Sequence, residues 1–263
     1  MPVFTRSERQ MINTIFLVLF AGTLSSLPAC AAGEAGKLSG QARTFTPAQD
    51  LVAHSTADWG DAEAFPKRAN FMQESPSRNT RYIADWVVDS GDNHQLPFVI
   101  VDKLSAKVFV FNASGQLRGS APALLGLALG DESVPGIGSR KLSGIHPAER
   151  TTPAGRFVAA LGRNLRGEEI LWVDYKSAIS LHRVLTSNRA EHRAQRLAST
   201  NLPDKRISYG CINVPADFYE TVVSPIFTGT SGIVYVLPDT RALWKIFPSY
   251  AAAARERLHG QEQ

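Results

Sequence analysis

Cysteine is scarce in this chain, and the short motifs of metal and nucleotide chemistry are missing. Only two of the 263 residues are cysteine, Cys30 and Cys211, too few for the disulfide framework that holds small secreted domains together. Neither CxxC nor HExxH spacing occurs, and a structural zinc ordinarily takes four protein ligands, so no metal site is expected. The glycines around Gly126 and Gly136 follow neither the P-loop nor the GxGxxG pattern, and no nucleotide or other cofactor is implied. Charge of one sign is also in short supply. The 28 basic and 24 acidic residues leave +4, with no basic stripe interleaved with aromatics, which argues against a nucleic-acid partner. No internal repeat is visible.

What the chain does carry begins at its N-terminus. Arg6 and Arg9 precede an apolar stretch from Met11 to Leu24, and small residues follow around Ala29-Cys30-Ala31-Ala32. This is the layout of a secretory signal peptide over residues 1–31, with an apolar part short for a membrane span. The expected location is therefore the periplasm or cell envelope. A cut after Ala29 would expose Cys30 for lipidation, since Leu27-Pro28-Ala29-Cys30 resembles a bacterial lipoprotein box with Pro28 off pattern; a cut after Ala31 would release the protein without a lipid anchor. Residues 32–80 read as a tether and accessory segment, with Thr46, Pro47 and Gln49 placed as a helix N-terminus.

From Arg81 onward the pattern turns to short apolar runs. Strands are expected at Tyr82–Val88, Leu96–Val101, Lys107–Phe111, Arg156–Ala160, Ile170–Val173, Ala178–His182 and Gly232–Leu237. Leu96–Val101 and Lys107–Phe111 are close enough for a hairpin. Helical signals are confined to residues 188–200, to the run after Pro215 and to Ala251–Leu258 in a C-terminal tail, residues 241–263. The 15 prolines and 20 glycines, spread over many turns, suit a mainly β catalytic domain over residues 81–240 with short helices.

A single thiol in an oxidising compartment needs a reason to persist, and Cys211 has a suggestive neighbourhood. Gly210-Cys211 lies just before the helical run that starts at Pro215. Backbone amides there favour a thiolate, and Gly210 lets the chain approach a substrate carbonyl. An inert buried cysteine is the plain alternative. A base would have to come from His54, His94, His146, His182, His192 or His259. His182, at the end of a strand, is favoured by layout, although a hydrogen-bonded histidine at a sheet edge would look the same. His146, beside Pro147 in a long loop, is a candidate for the rim of a pocket.

Three landmarks, in order, give the chain a resemblance to the L,D-transpeptidase (YkuD-like) catalytic-domain family over about Leu96 to Pro238. They are Thr152-Pro153-Ala154-Gly155-Arg156-Phe157 after the opening strands, Ser180-Leu181-His182, and Ser208-Tyr209-Gly210-Cys211-Ile212-Asn213. The resemblance implies an L,D-transpeptidase-like β-sandwich acting on peptidoglycan stem peptides. It implies Cys211 as nucleophile, His182 as base, Ser208 orienting the imidazole through its carbonyl, and Gly210 with Cys211 shaping an oxyanion site. Asn213 would steady the loop. Tyr209 stands where relatives often have histidine and would line the pocket. Arg183, where glycine is frequent, would narrow the cleft or meet a stem carboxylate. The stretch Asn188–Asp204 is a surplus that would form a lid, a partner surface or an ordinary surface excursion.

The expected reaction is a Cys thioester with a tetrapeptide stem, release of D-alanine and transfer to an amine of a stem, a protein or a free amino acid. Hydrolysis by an L,D-carboxypeptidase shares the same acylation, and a non-catalytic envelope-binding protein is the alternative outside enzymology.

Overall fold

The computed structural model describes residues 67–260. The expected signal peptide, Cys30 and the expected helix start at Thr46 lie outside the described residues. The protein is mainly β with short helices, as its turn-rich apolar runs require. One eight-stranded sheet, in the order β3-β2-β1-β10-β5-β6-β7-β9, dominates. Its strands are β1 (Phe98–Asp102), β2 (Lys107–Phe111), β3 (Leu117–Pro122), β5 (Gly155–Arg163), β6 (Glu169–Asp174), β7 (Ile179–Arg183), β9 (Ile212–Val214) and β10 (Ser231–Val236). Two short strands, β4 (Leu125–Gly126) and β8 (Arg206–Ser208), pair separately.

β1 and β2 form the expected antiparallel hairpin, in register from Phe98↔Phe111 to Asp102↔Lys107. Both read as unbroken apolar runs because both faces of this half of the sheet are covered. Val99, Val101, Val108, Val110, Val234 and Val236 point into one core. Phe98, Ile100, Phe109, Phe111, Ile233 and Tyr235 point into the other. The first core also takes Leu171, Leu181, Ile212 and Val214 from β6, β7 and β9 at the opposite end of the strand order. Residues so far apart in the order share a core because the sheet curls over, and the curl makes the two packed layers of a sandwich from a single sheet. A helical run over residues 216–227, α3, closes this core with Tyr219, Val223 and Phe227.

The expected strand at Tyr82–Val88 is instead part of a helix, α1 (Arg78–Ser90). Its β-branched and aromatic composition favours a strand. However, Thr80, Ile83, Ala84 and Val87 are spaced for one helical face and all are buried. Ser77 caps the N-terminus by accepting from the Thr80 amide at 3.2 Å. Gly91 ends the helix in the left-handed region, φ 69°, with its N–H on the Val87 carbonyl. Ala69 and Phe71, in the stretch expected to be accessory, join α1 in the second core. Residues 188–200 contribute α2 (Arg193–Ala198), and the C-terminal end carries the helical segments α4 (Leu243–Ile246) and α5 (Pro248–Gly260). Among the described residues no helix is long and apolar enough to cross a membrane.

Candidate active site

The site is built on the parallel pairing of β7 and β9, where Leu181 lies opposite Ile212 and His182 opposite Asn213. Side chains alternate faces along a strand, so residues two apart share one. Leu181, Ile212 and Val214 enter the core. The other face therefore gathers Ser180 and His182 from β7 with Cys211 and Asn213 from the start of β9. One rule of strand geometry thus brings four polar groups together and anchors them through their apolar alternates.

Cys211 is half-buried. Its Sγ lies 3.5 Å from Ser180 Oγ and 3.6 Å from the Ala178 carbonyl. Burial alone would push the thiol up, but the hydrogen bond and charge of His182 outweigh it and hold Cys211 below its ordinary value. The imidazole shows the reciprocal balance. Burial pushes it down, while the hydrogen bond and charge of Cys211 and the Arg183 carbonyl leave it raised. Each group thus favours the charged form of the other.

The loop that presents the thiol is fixed from several sides. Ser208, buried on β8, donates its hydroxyl to the Cys211 carbonyl at 2.6 Å and accepts the Gly210 N–H at 3.1 Å. Thr152 Oγ1 donates to the Gly210 carbonyl at 2.8 Å and accepts from the Gly126 amide at 2.9 Å. Gly210 has φ 128°, and a Cβ there would stand 2.6 Å from the Thr151 carbonyl oxygen. Only glycine fits this close approach.

Several expectations are revised by these contacts. The Nδ1 of His182 bonds the Arg183 carbonyl at 2.7 Å, whereas the Ser208 carbonyl accepts the Leu127 amide at 2.9 Å. Ser208 shapes the cysteine loop through its hydroxyl instead. The side chain of Arg183 does not face the thiol: β7 alternation turns it to α3, where it stacks on Tyr219, 4.1 Å from the ring centroid. It also pairs with Glu220 and donates to the Glu169 carbonyl at 2.7 Å. Tyr209 lies under the Arg150 guanidinium, 4.0 Å from the ring centroid. Exposed His146 sits in the same loop as Arg150, its amide on the Glu149 carboxylate at 2.8 Å.

Ser180, Thr152 and Arg193 were missed as site residues. Ser180 could have been found from its two-residue spacing to His182. Thr152 lies in a motif whose sequence does not show its contact with Gly210, and Arg193 has no local signal. Among the described residues no group of three or more histidines, cysteines and acids is placed to hold a metal ion.

No protein-family profile and no curated protein matches the chain. Solved structures do, at low identity and partial coverage. The helical cell shape determining protein Pgp2 from Campylobacter jejuni is 14% identical over 56% of this chain and 49% of that one, with a TM-score of 0.37. The catalytic domain of an Enterococcus faecium L,D-transpeptidase is 17% identical over 54% of this chain and 98% of that one, TM-score 0.31. An L,D-transpeptidase from Mycobacterium smegmatis is 13% identical over 53% and 58%, TM-score 0.30. The chain spans about half the length of Pgp2.

The mutual influence of Cys211 and His182 makes a direct prediction. In protein carrying Cys30→Ser, iodoacetamide should alkylate Cys211 at pH values well below the ordinary thiol range of about 8.5. His182→Ala should move that alkylation midpoint upward. Equal midpoints in the two proteins would remove the pair.

Proposed function

We propose that the protein is a cysteine-dependent peptidase of peptidoglycan stem peptides that works through a thioester on Cys211. The pairing of a depressed Cys211 thiol with a raised His182 imidazole on one face of the β7–β9 ladder carries this reading. The motifs around Thr152, His182 and Cys211 supply the substrate class by resemblance.

The Cys211 thiolate attacks the carbonyl that precedes the terminal D-residue of a tetrapeptide stem. Negative charge gathers on the carbonyl oxygen. Because the Gly210 N–H is taken by Ser208, the Cys211 amide is the loop donor assigned to that oxygen. The imidazolium gives its Nε2 proton to the departing amine, D-alanine leaves, and a thioester remains. Neutral His182 then takes a proton from water as it attacks, and the tripeptide carboxylate is released with the thiol restored.

Hydrolysis asks nothing of the protein beyond the acylation site and a water, so L,D-carboxypeptidation is the assigned outcome. Transfer to an amine uses the same first half and adds an acceptor site. Purified protein should convert tetrapeptide stems to tripeptide and D-alanine, followed by mass spectrometry. Crosslinked or amino-acid-exchanged stems would assign transfer instead. Absence of both products, together with no acyl adduct on Cys211, would leave an envelope-binding protein.

A further inference from the structure

We infer that Arg193, on the segment between β7 and β8, is a positioning residue that sets which end of the Asn213 amide faces His182. The inference deepens the proposed cysteine chemistry and rests on Cys211 and His182 acting together.

Asn213 is fully buried, and its side chain lies between two groups of different hydrogen-bonding character. On one side, Arg193 Nη1 is 2.6 Å from Asn213 Oδ1. On the other, Asn213 Nδ2 is 3.4 Å from His182 Nε2 and 3.4 Å from the Cys211 carbonyl. The two ends of an amide have nearly the same shape, so packing alone does not choose between them. Arg193 chooses. A guanidinium has donors and no acceptor, so only the amide oxygen can face it. The NH2 is thereby directed to His182 Nε2 and the Cys211 carbonyl.

That orientation has a chemical consequence. His182 Nδ1 lies on the Arg183 carbonyl, an acceptor, and so carries a proton. Nε2 is then the acceptor nitrogen in the neutral ring, and the Asn213 NH2 pointed at it favours that form. Were the amide reversed, Oδ1 would accept from a protonated Nε2 and stabilise the imidazolium. The positive charge of Arg193 acts in the same direction as the amide, disfavouring the charged ring. The titratable and charged groups bearing on the imidazole are Cys211, from the loop before β9, and Arg193. The first drives protonation and the second restrains it. Restraint matters after acylation, when the thiolate is gone and the ring must be neutral to take a proton from the attacking nucleophile.

Arg193 is itself held in place. Its side chain is 12% exposed and pairs with Glu191. Arg196 on the same short helix bonds the carbonyls of Glu191 at 3.0 Å and Asp204 at 3.2 Å. The surplus segment is thus a brace that delivers a guanidinium to the amide.

The test follows the imidazole directly and does not depend on any stem assay. In Cys30→Ser protein with Cys211 blocked by iodoacetamide, the ring of His182 is titrated by nitrogen NMR. Arg193→Met should raise its midpoint by about one pH unit and bring protonated Nε2 into the neutral range. Arg193→Lys, which keeps the charge and a donor-only head group, should restore most of the original titration. An unchanged or lowered midpoint in folded Arg193→Met would overturn the inference. If the methionine variant does not fold, Arg193→Ala decides in its place: a midpoint about a unit higher supports the assignment, and one near wild type rejects it. Stem hydrolysis absent from wild type, with this titration as described, would reject the substrate reading and leave Arg193 in its role.

Discussion

Cys211→Ala should eliminate stem cleavage, with a loss of at least about 10⁴-fold in kcat/KM and no acyl adduct in the intact mass. The substitution removes one sulfur atom from a half-buried position whose neighbours are the Ser180 hydroxyl, the Ala178 carbonyl and the His182 ring. The backbone bonds of the loop, from Ser208 to the Cys211 carbonyl and from Thr152 to the Gly210 carbonyl, do not involve that sulfur. The fold should therefore survive while the reaction does not. His182→Ala should cost nearly as much, and the double variant little more than either, because the two side chains act as one unit. Activity retained by Cys211→Ala would move the chemistry to another residue.

The two strand ends that carry the site were legible because each announces itself locally. Ser180-Leu181-His182 and Cys211-Ile212-Asn213 both place polar residues two apart around an apolar one, which is how a strand shows one face to a core and one to a cleft. The hairpin of β1 and β2 was legible for a similar reason. Residues 82–88 were misread because Ile, Trp and Val argue for a strand by type and for a helix by spacing, and the Ser77 and Gly91 caps decide for the helix. The orienting partner of His182 was misassigned because a carbonyl bond leaves no trace in side-chain identity. Arg193 was hidden for another reason. Its partner Asn213 is 20 residues away, and the charged segment around it has the composition of a solvated surface. The buried cluster around Lys103 was hidden in the same way, since its bonds reach 49 residues to Thr152 and 28 to Asp131.

That cluster carries the largest expected effect on stability. The Lys103 side chain is 0% exposed, and its Nζ donates to the Gly130 carbonyl at 2.6 Å, Asp131 Oδ1 at 2.8 Å and the Thr152 carbonyl at 2.8 Å. Asp131 also accepts from the backbone amides of Asp239, Thr240 and Arg241, at 2.6, 2.9 and 2.8 Å. Asp239 in turn pairs with Arg206 at 2.7 Å. Lys103→Met keeps the length of the chain but strands the Asp131 charge, 1% exposed, without its cation. Breaking a buried pair from one side costs about 3–5 kcal/mol, a large share of the roughly 5–15 kcal/mol that domains possess. The melting temperature should fall by roughly 6–20 °C. Burial pushes Asp131 up, but Lys103, Thr240 and the backbone amides together hold it far below the ordinary carboxylate range. Its contribution is thus complete above the unfolded value of about 4 and is lost as pH falls below it. Wild type should therefore lose stability on acidification through that range, and Lys103→Met should show a shallower slope because its Asp131 is less depressed. Chemical denaturation across pH measures both. A variant within about 1 kcal/mol of wild type would show that the network is not stabilising as described. Because Lys103 holds the Thr152 carbonyl and Thr152 holds Gly210, slower alkylation of Cys211 in the folded variant should accompany the loss, tying the buried charges to the reach of the thiol.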